Sequence, residues 1–193
     1  MSKKPIISPR IIAGRFRGRK LHAVDGEVTR PATDRTREGV FNMLRSNPQI
    51  HSDLEETRVL DLFAGTGSYG FEALSRGAKH CTFIESSPAA IRALSQSRDM
   101  LNLDKSEAHI IKSNILKLAH AQSASFKIAF LDPPYNSGLI DPVLPRLEKR
   151  GWIDASSLLV IEQHREDNYP QTVTPIEERT FGISRILFGK LRL

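Results

Sequence analysis

From residue 58 to residue 163 the chain alternates short apolar runs with helical segments, and this alternation restricts the fold more than any other feature of the sequence. Two parallel neighbouring strands need a long crossover connection, which is usually a helix. The alternation therefore predicts an α/β fold with a doubly wound, mostly parallel sheet. The predicted strands are residues 58–62, 81–85, 108–111, 128–132 and 158–163, and the predicted helices are residues 69–76, 88–101, 115–119 and 140–149.

The last two apolar runs of the chain are connected differently. Residues 175–181 and 184–191 are separated only by a turn at Gly182. A turn of this length leaves no room for a crossover helix, so the two runs are expected to pair antiparallel. We therefore predict a sheet of seven strands that ends in an antiparallel C-terminal hairpin.

The apolar run 58–62 leads into a glycine-rich turn, Gly65-x-Gly67-x-x-Gly70, which precedes a predicted helix. Glycines at such a turn let the backbone approach a ligand at the helix N-terminus. Glu85 ends the next predicted strand, where a carboxylate commonly binds ribose hydroxyls. This arrangement fits two cofactors, a nicotinamide dinucleotide and S-adenosylmethionine, and a turn that serves only helix–sheet packing is the structural alternative.

Asp61 distinguishes between the two cofactors. It lies within the end of the predicted strand, just before the glycine-rich turn. A carboxylate at this place would repel a pyrophosphate but attract the α-ammonium group of S-adenosylmethionine. The residues therefore favour the methyl donor.

A second motif, Asp132-Pro133-Pro134-Tyr135, follows the predicted strand 128–132, at the edge where open α/β sheets bind ligands. The prolines remove backbone donors, so the Pro133 carbonyl is left to point into the site. An aromatic amine is a poor nucleophile, because its lone pair is delocalised into the ring. Hydrogen bonds from that amine to the Asp132 carboxylate and the Pro133 carbonyl would favour its tetrahedral form, and Tyr135 would stack on the base. We predict direct in-line methyl transfer, in which alignment is the main catalytic effect.

Positive charge is concentrated at the start of the chain. The net charge is +6, from 28 Lys and Arg against 22 Asp and Glu. Residues 1–50 contain 11 basic and 4 acidic residues, so the remainder, with 17 and 18, is nearly neutral. This distribution is typical of a polyanion-binding arm joined to a neutral body, although a solvated basic tail has the same composition.

Residues 1–30 are predicted to form this basic arm. In an extended chain Arg15, Arg17 and Arg19 would project from one face, because side chains alternate along a strand. We predict a ribbon that follows nucleic-acid phosphates, folded into a small β-hairpin that ends near residues 25–26.

The rest of the chain is predicted to form a connecting helical segment, residues 31–56, and the sheet domain, residues 57–193. A helix is expected from Thr33 or Asp34 to about residue 47, with Val40, Phe41 and Leu44 on its buried side.

Several classes of protein and site are disfavoured by the composition. The single cysteine, Cys81, excludes an internal disulfide, and no cysteine stands near Asp132 to act as a nucleophile. The six histidines lack the spacing of metal ligands, so no metal site is predicted. No apolar run reaches the length of a membrane helix, which is about 20 residues, and we expect a cytoplasmic protein. Cys81 and Trp152 are interpreted as core residues.

The segments LDLFAGTGSYGFEALSRGA and LDPPY resemble the cofactor and catalytic loops of amino-group methyltransferases. The arm, RIIAGRFRGRKL followed by RPATDRTREGVFNML, is similar to that of the bacterial RsmD family in particular. That family methylates N2 of one guanine in 16S ribosomal RNA with S-adenosylmethionine. The resemblance implies a Rossmann-like class I methyltransferase fold and a monomer that acts on 16S ribosomal RNA within a small-subunit particle, without a metal or a membrane.

The resemblance also implies roles for individual residues. The catalytic residues would be Asp132, Pro133, Pro134 and Tyr135. The implied donor-binding residues are Asp61, Phe63, Ala64, Gly65, Thr66, Gly67, Glu85, Ser86, Asn114, Ile115 and Asp132. The implied RNA-binding residues are Arg10, Arg15, Arg17, Arg19, Lys20, Arg30, Arg35 and Arg37. Two positions depart from the family pattern, since Asn114 stands where many relatives carry an acid and Tyr69 stands where an aliphatic residue is expected.

Other functions remain open at this point. The catalytic loop suits any planar amine, so DNA adenine N6 or a protein glutamine side chain is an alternative substrate. A non-catalytic ribosomal-RNA-binding assembly factor and a nicotinamide-dependent oxidoreductase are alternatives of a different class.

Overall fold

The computed structural model describes residues 8–24, 34–123 and 125–192. Within them a seven-stranded sheet is covered by helices on both faces. The strands are β1 (Arg58–Leu62), β2 (His80–Glu85), β3 (Ala108–Lys112), β4 (Ile128–Leu131), β5 (Leu158–His164), β6 (Val173–Phe181) and β7 (Ser184–Leu191). The helices are α1 (Asp34–Ser46), α2 (Ser68–Ser75), α3 (Pro88–Met100) and α4 (Ile140–Lys149), with a 3₁₀ turn at Ile115–Lys117.

The strand order is β3-β2-β1-β4-β5-β7-β6. Strands β1 to β5 are mutually parallel, and β7 lies antiparallel between β5 and β6. The predicted doubly wound sheet and its C-terminal hairpin are therefore confirmed. The direction in which successive strands are added to the sheet reverses between β1 and β4. In folds of this type, ligands bind at the carboxyl ends of the strands beside such a reversal.

Two elements differ from the sequence prediction. Residues 115–119 form one 3₁₀ turn instead of a helix, because Asn114 caps only Leu116 and the backbone leaves helical geometry at Leu118 (φ −56°, ψ 133°). Strand β6 begins at Val173 and has an irregular register between Pro175 and Glu177. Proline has no N–H to donate to a neighbouring strand, which accounts for an irregularity at this place.

Each face of the sheet has its own apolar layer. On one face Phe83, Phe130 and Val160 pack against residues of α1, α2 and α3. On the other face Leu62, Leu131 and Ile161 pack against α4 and Trp152. Val40, Phe41, Leu44, Cys81 and Trp152 are all buried, as predicted.

The basic arm turns back on itself within residues 8–24. An antiparallel bridge joins Arg10 to Lys20, and the chain reverses between Gly14 (φ 81°) and Gly18 (φ 83°). The prediction that Arg15, Arg17 and Arg19 share one extended face is therefore wrong, because Arg15 and Arg17 lie within this turn and Arg19 follows it. The turn predicted near residues 25–26 lies outside the described residues.

Buried contacts fix the arm to α2. Glu72 accepts hydrogen bonds from the backbone N–H groups of Ile12 (2.7 Å) and Ala13 (3.1 Å). Ser75 accepts a backbone hydrogen bond from Arg15 at 2.8 Å. A Cβ atom at Gly14 would lie 1.8 Å from the Ser75 carbonyl oxygen, so only glycine fits this contact. Ile11 and Leu21 of the arm are buried in the same apolar layer as α1 and α2.

Candidate active site

Four carboxylates lie along the carboxyl edge of the sheet, on the face covered by α1 and α2. They belong to Glu85 on β2, Asp61 on β1, Asp132 directly after β4, and Glu162 on β5. The register explains the grouping, because Asp61 aligns with Phe83 and Phe130, and Phe130 aligns with Val160. Glu85, Asp132 and Glu162 each stand two residues further along, so alternation returns them to the same face.

The glycine-rich turn connects β1 to α2 through a run of left-handed backbone. Phe63 (φ 58°), Gly65 (φ 53°) and Gly67 (φ 74°) have positive φ, and the N–H of Gly67 donates to the Ala64 carbonyl at 2.6 Å. Around Gly65 the nearest atom to an added Cβ would be 3.9 Å away, so the backbone there faces open space. Ala64 and Thr66 are buried beneath the turn.

Gly70 has a different role from Gly65. A Cβ atom at Gly70 would come within 2.3 Å of the Phe83 ring and 2.6 Å of the Cys81 sulfur. Gly70 is therefore required for close packing of α2 on β2. The turn thus combines the two roles that the sequence left as alternatives, since Gly70 serves packing and Gly65 leaves backbone accessible.

Asp61 is 2% exposed, and its Oδ2 accepts a hydrogen bond from the N–H of Gly70 at 2.9 Å. Burial, with a smaller contribution from the charge of Glu85, raises the pKa of Asp61 to about 8. A positively charged ligand beside Asp61 would favour its ionised form.

Glu85 organises the backbone around the turn. Its Oε2 accepts from the N–H of Gly65 at 2.8 Å, and its Oε1 accepts from the N–H groups of Ser86 (2.6 Å) and Ser87 (2.8 Å). The residue that the sequence suggests for ribose binding therefore also holds the turns after β1 and β2 together.

The other predicted donor-binding residues lie further along the same edge. Ser86 and Asn114 are exposed after β2 and β3, and Ile115 is buried. The Oδ1 of Asn114 accepts from the N–H of Leu116 at 2.9 Å, so part of its hydrogen-bonding capacity caps the 3₁₀ turn.

The loop Asp132-Pro133-Pro134-Tyr135 begins beside Asp61. Burial, followed by the charges of Glu162 and Asp61, raises the pKa of Asp132 well above its ordinary value. Pro133 is buried and Pro134 is exposed. The Tyr135 hydroxyl lies 2.9 Å from the Ser184 hydroxyl, and its ring contacts His164 edge-on, with centroids 5.6 Å apart. Strands β5 and β7 thus anchor the tyrosine of the loop.

Two residues of this site have no role in the sequence analysis. The Tyr69 hydroxyl donates a 2.7 Å hydrogen bond to Oε2 of the buried Glu162, and its ring stacks on Phe130 with centroids 5.1 Å apart. Burial, and the charges of Glu162 and Asp132, raise the pKa of Tyr69. The available signal was a glutamate inside the apolar run LLVIEQ, a residue type that is seldom buried without a partner.

The arginines proposed for RNA contact fall into different environments. Arg10 pairs with Asp34 and Arg15 with Glu107, both at 2.7 Å, and Arg19 donates to the Met100 carbonyl at 2.8 Å. Three further basic residues, Arg17, Lys20 and Arg35, are exposed. Arg30 lies outside the described residues.

Arg37 does not fit the prediction of direct RNA contact. Its side chain is 1% exposed, and its guanidinium donates to Oδ1 of Asp34 and to the carbonyl oxygen of Arg10. The residue therefore joins the arm to α1 within the protein interior.

In residues 8–24, 34–123 and 125–192 no helix combines the length and apolar character needed to cross a membrane, and no three His, Cys, Asp or Glu side chains are grouped to hold a metal ion.

Comparison with known proteins places the chain in a family. Residues 9–190 match the family described as "Conserved hypothetical protein 95". The chain is 36% identical over 178 residues to ribosomal RNA small subunit methyltransferase D of Haemophilus influenzae, covering 90% of this chain and 89% of that protein. It is 37% identical over 163 residues to the protein of the same name from Escherichia coli K12, covering 83% and 77%.

Solved structures agree with this placement. The structure of yhhF from Escherichia coli, described as a methyltransferase, superposes with a TM-score of 0.77 at 34% identity, covering 95% of this chain and 98% of that one. A methylase structure from Haemophilus influenzae gives a TM-score of 0.75 at 32% identity, covering 96% and 99%. Because the similarity covers nearly the whole chain in sequence and in structure, the protein is a methyltransferase that belongs to the RsmD family.

Proposed function

We propose that the protein transfers a methyl group from S-adenosylmethionine to the exocyclic N2 amine of a guanine in 16S ribosomal RNA. The observation that carries the proposal is the position of Asp132 and Pro133 directly after β4, beside Asp61 and the open glycine turn. The names of the relatives support the substrate class, since they are small-subunit ribosomal RNA methyltransferases.

The residues of the edge fit S-adenosylmethionine as cofactor. The open backbone at Gly65 leaves room for a ligand, and the carboxylates of Asp61 and Glu85 favour one with positive charge. A dinucleotide would instead place its pyrophosphate against these acids. Asp61 and the turn at Gly65 and Gly67 would hold the aminoacyl part, Glu85 the ribose, and Ser86 and Asn114 the adenine. When bound, the cofactor supplies an electrophilic methyl group on a positively charged sulfur.

The chain's own residues then act on the amine. The Asp132 carboxylate and the Pro133 carbonyl accept its two hydrogens, which keeps the nitrogen lone pair directed at the incoming carbon. Tyr135, anchored through Ser184 and His164, provides a fixed ring on which the base stacks. As the new N–C bond forms and the methyl–sulfur bond breaks, the sulfur would leave as a neutral thioether, the nitrogen would become positive, and its proton would pass to Asp132. The raised pKa of Asp132 suits this acceptance.

We also propose that the RNA is recognised within a small-subunit particle in the cytoplasm by a monomer. The exposed basic residues Arg17, Lys20 and Arg35 support contact with phosphates. Such contacts carry little sequence information, so selection of one guanine would depend on RNA shape and on the pocket.

The proposal is tested by transfer of labelled methyl from S-adenosylmethionine to unmodified small ribosomal subunits, with the product nucleoside identified by mass spectrometry. We expect N2-methylguanosine at one position. Naked 16S RNA, DNA and protein extracts serve as parallel substrates. Methylation of adenine or of a protein amide instead would overturn the proposed substrate.

An Asp132→Ala variant tests the catalytic assignment in the same assay. We expect turnover to be lost while binding of the donor, measured by calorimetry, is largely retained. Near-normal turnover by this variant would contradict the role of Asp132. Donor binding absent from the unmodified protein would favour the non-catalytic assembly factor.

A further inference from the structure

Glu162 stands next to the catalytic carboxylate. Leu131 of β4 pairs with Ile161 of the adjacent parallel strand β5. Asp132 and Glu162 are the next residues after this pair, so they lie side by side. Such strands are about 4.8 Å apart. The charge of Glu162 acts on Asp132, as expected for carboxylates at this separation. The site therefore presents two neighbouring carboxylates where the mechanism uses only one.

Tyr69 fixes the orientation of Glu162. Its hydroxyl donates to Oε2 at 2.7 Å, and its ring is held by stacking on Phe130. This hydrogen bond engages one of the two oxygens of the Glu162 carboxylate. Glu162 is 4% exposed, and a buried carboxylate is costly unless several donors satisfy it. An ionised carboxylate has about four acceptor sites, so Glu162 can accept from Tyr69 and from a further donor at the same time.

The nucleobases differ in what adjoins their amino group. In guanine the N2 amine lies beside N1–H, so two donor groups are adjacent on one edge. In adenine the N6 amine lies beside N1, and in cytosine the N4 amine lies beside N3, and both of these ring nitrogens are acceptors. In the side-chain amide of glutamine the amine lies beside a carbonyl oxygen, also an acceptor. A carboxylate facing the neighbouring position would bind N1–H of guanine and repel the acceptors of the other three.

We propose that Glu162, oriented by Tyr69, accepts a hydrogen bond from N1–H of the target guanine and thereby selects guanine over the other planar amines. Asp132 binds the N2 amine at the same time, so the two carboxylates recognise the two adjacent donors. The inference rests on the proposed function, because it requires that the N2 amine of guanine be the methyl acceptor. Glu162 is then a specificity-determining residue, and Tyr69 is a positioning residue that acts through it.

The test uses a base that keeps the amine and lacks the neighbouring donor. 2-Aminopurine has the same exocyclic amine as guanine, but its N1 is an acceptor. Small subunits are reconstituted with 16S RNA that carries either guanine or 2-aminopurine at the position methylated in the experiment above. The initial rate of methyl transfer is measured for both substrates under single-turnover conditions.

The unmodified enzyme is expected to prefer guanine to 2-aminopurine by at least about tenfold, as for loss of one hydrogen bond to a charged group. In Glu162→Gln the rate on guanine should fall by about that factor. The rate on 2-aminopurine should hold or rise, because the glutamine amide can donate to N1. A merely structural role for Glu162 would lower both rates equally, and that outcome would overturn the inference.

Tyr69→Phe is the second variant, and it retains the ring that stacks on Phe130. Tyr69→Phe should also reduce the preference for guanine over 2-aminopurine, but by a smaller factor than Glu162→Gln. Its binding of S-adenosylmethionine should be unchanged. If Glu162→Gln does not fold, an unaltered preference in Tyr69→Phe would count against the inference. Failure of the proposed function is distinct, since the unmodified enzyme would then form no N2-methylguanosine at all.

Discussion

The carboxylate of Asp61 accepts a 2.9 Å hydrogen bond from the backbone N–H of Gly70, which ties the end of β1 to the first turns of α2. The contact requires α2 to lie close to the sheet, and the absence of a side chain at Gly70 permits that approach. One hydrogen bond therefore couples the packing of a helix to the position of the carboxylate that is proposed to bind the methyl donor.

Replacing Gly70 tests this coupling. In Gly70→Ala the new methyl group would lie 2.3 Å from the Phe83 ring, so α2 or the ring must move. We expect a loss of about 1–3 kcal/mol in the free energy of unfolding, measured by denaturant titration, and weaker donor binding. Gly182→Ala is the contrasting variant, because its added methyl group meets open space outside the proposed donor site. It should cost only about 1–2 kcal/mol, as for a left-handed alanine, and leave donor binding unchanged. Unchanged stability of Gly70→Ala would contradict the packing role.

Donor binding should depend on pH through Asp61. Its pKa of about 8 means that the carboxyl group holds a proton near neutral pH in the free protein. A cationic donor favours the ionised form, so binding should release a proton and strengthen as the pH rises toward 8. Calorimetry in two buffers of different ionisation enthalpy measures the release directly. Asp61→Asn should bind weakly and release fewer protons, whereas equal proton release by both proteins would disprove the assignment.

The stability of the ligand-free protein should also change with pH. Because the folded-state pKa of Asp61 is raised, its contribution is present below the unfolded-state pKa of about 3.9 and is lost as the pH rises through about 8. The buried Asp132, whose pKa is also raised, acts in the same direction. Asp61→Asn keeps an acceptor for the Gly70 N–H and cannot ionise. Thermal unfolding should therefore show this variant gaining stability relative to the unmodified protein between acidic and mildly alkaline pH, and a constant difference would refute the prediction.

Glu72 should control whether the arm stays docked. It is fully buried and accepts from Ile12, Ala13 and the Arg76 guanidinium. Glu72→Ala leaves these donors without their acceptor, and we expect a loss of about 3 kcal/mol with faster proteolysis of the arm. Glu107→Ala removes an exposed contact to the arm through Arg15, and it should cost less than about 1 kcal/mol. Similar proteolysis of the two variants would show that Glu72 is not the main attachment.

The exposed arginine and lysine of the arm should account for part of the salt dependence of RNA binding. Removing Arg17 and Lys20 together should reduce the slope of log K against log salt by about 1.4–1.8, if each contacts one phosphate. Lys117→Ala with Lys149→Ala removes the same charge from the exposed surface of the opposite face and should leave the slope nearly unchanged. An equal effect of both pairs would indicate a general charge effect and no specific role for the arm.

Most of the sheet was predictable because its signals are local. The strand β1 and helix α4 have the predicted boundaries, and the other parallel strands agree within one residue. Local patterns failed in the arm, where period-two alternation at Arg15, Arg17 and Arg19 suggested an extended strand. The glycines at 14 and 18 adopt left-handed backbone instead, because Gly14 must fit against the Ser75 carbonyl oxygen, 61 residues further along the chain.

Short-range patterns alone predict the order of strands and helices, the glycine turn with Asp61, and the loop that begins at Asp132. These features depend on residues close together in the chain, and apolar periodicity and turn chemistry report them directly. Three other features depend on tertiary packing: Tyr69 binds Glu162, Glu72 holds the arm, and Arg37 is buried. The partners in the first two contacts are separated by 93 and 60 residues, and the burial of Arg37 also depends on the distant arm. Such contacts form only when strand register and helix packing bring distant side chains to one face of the sheet.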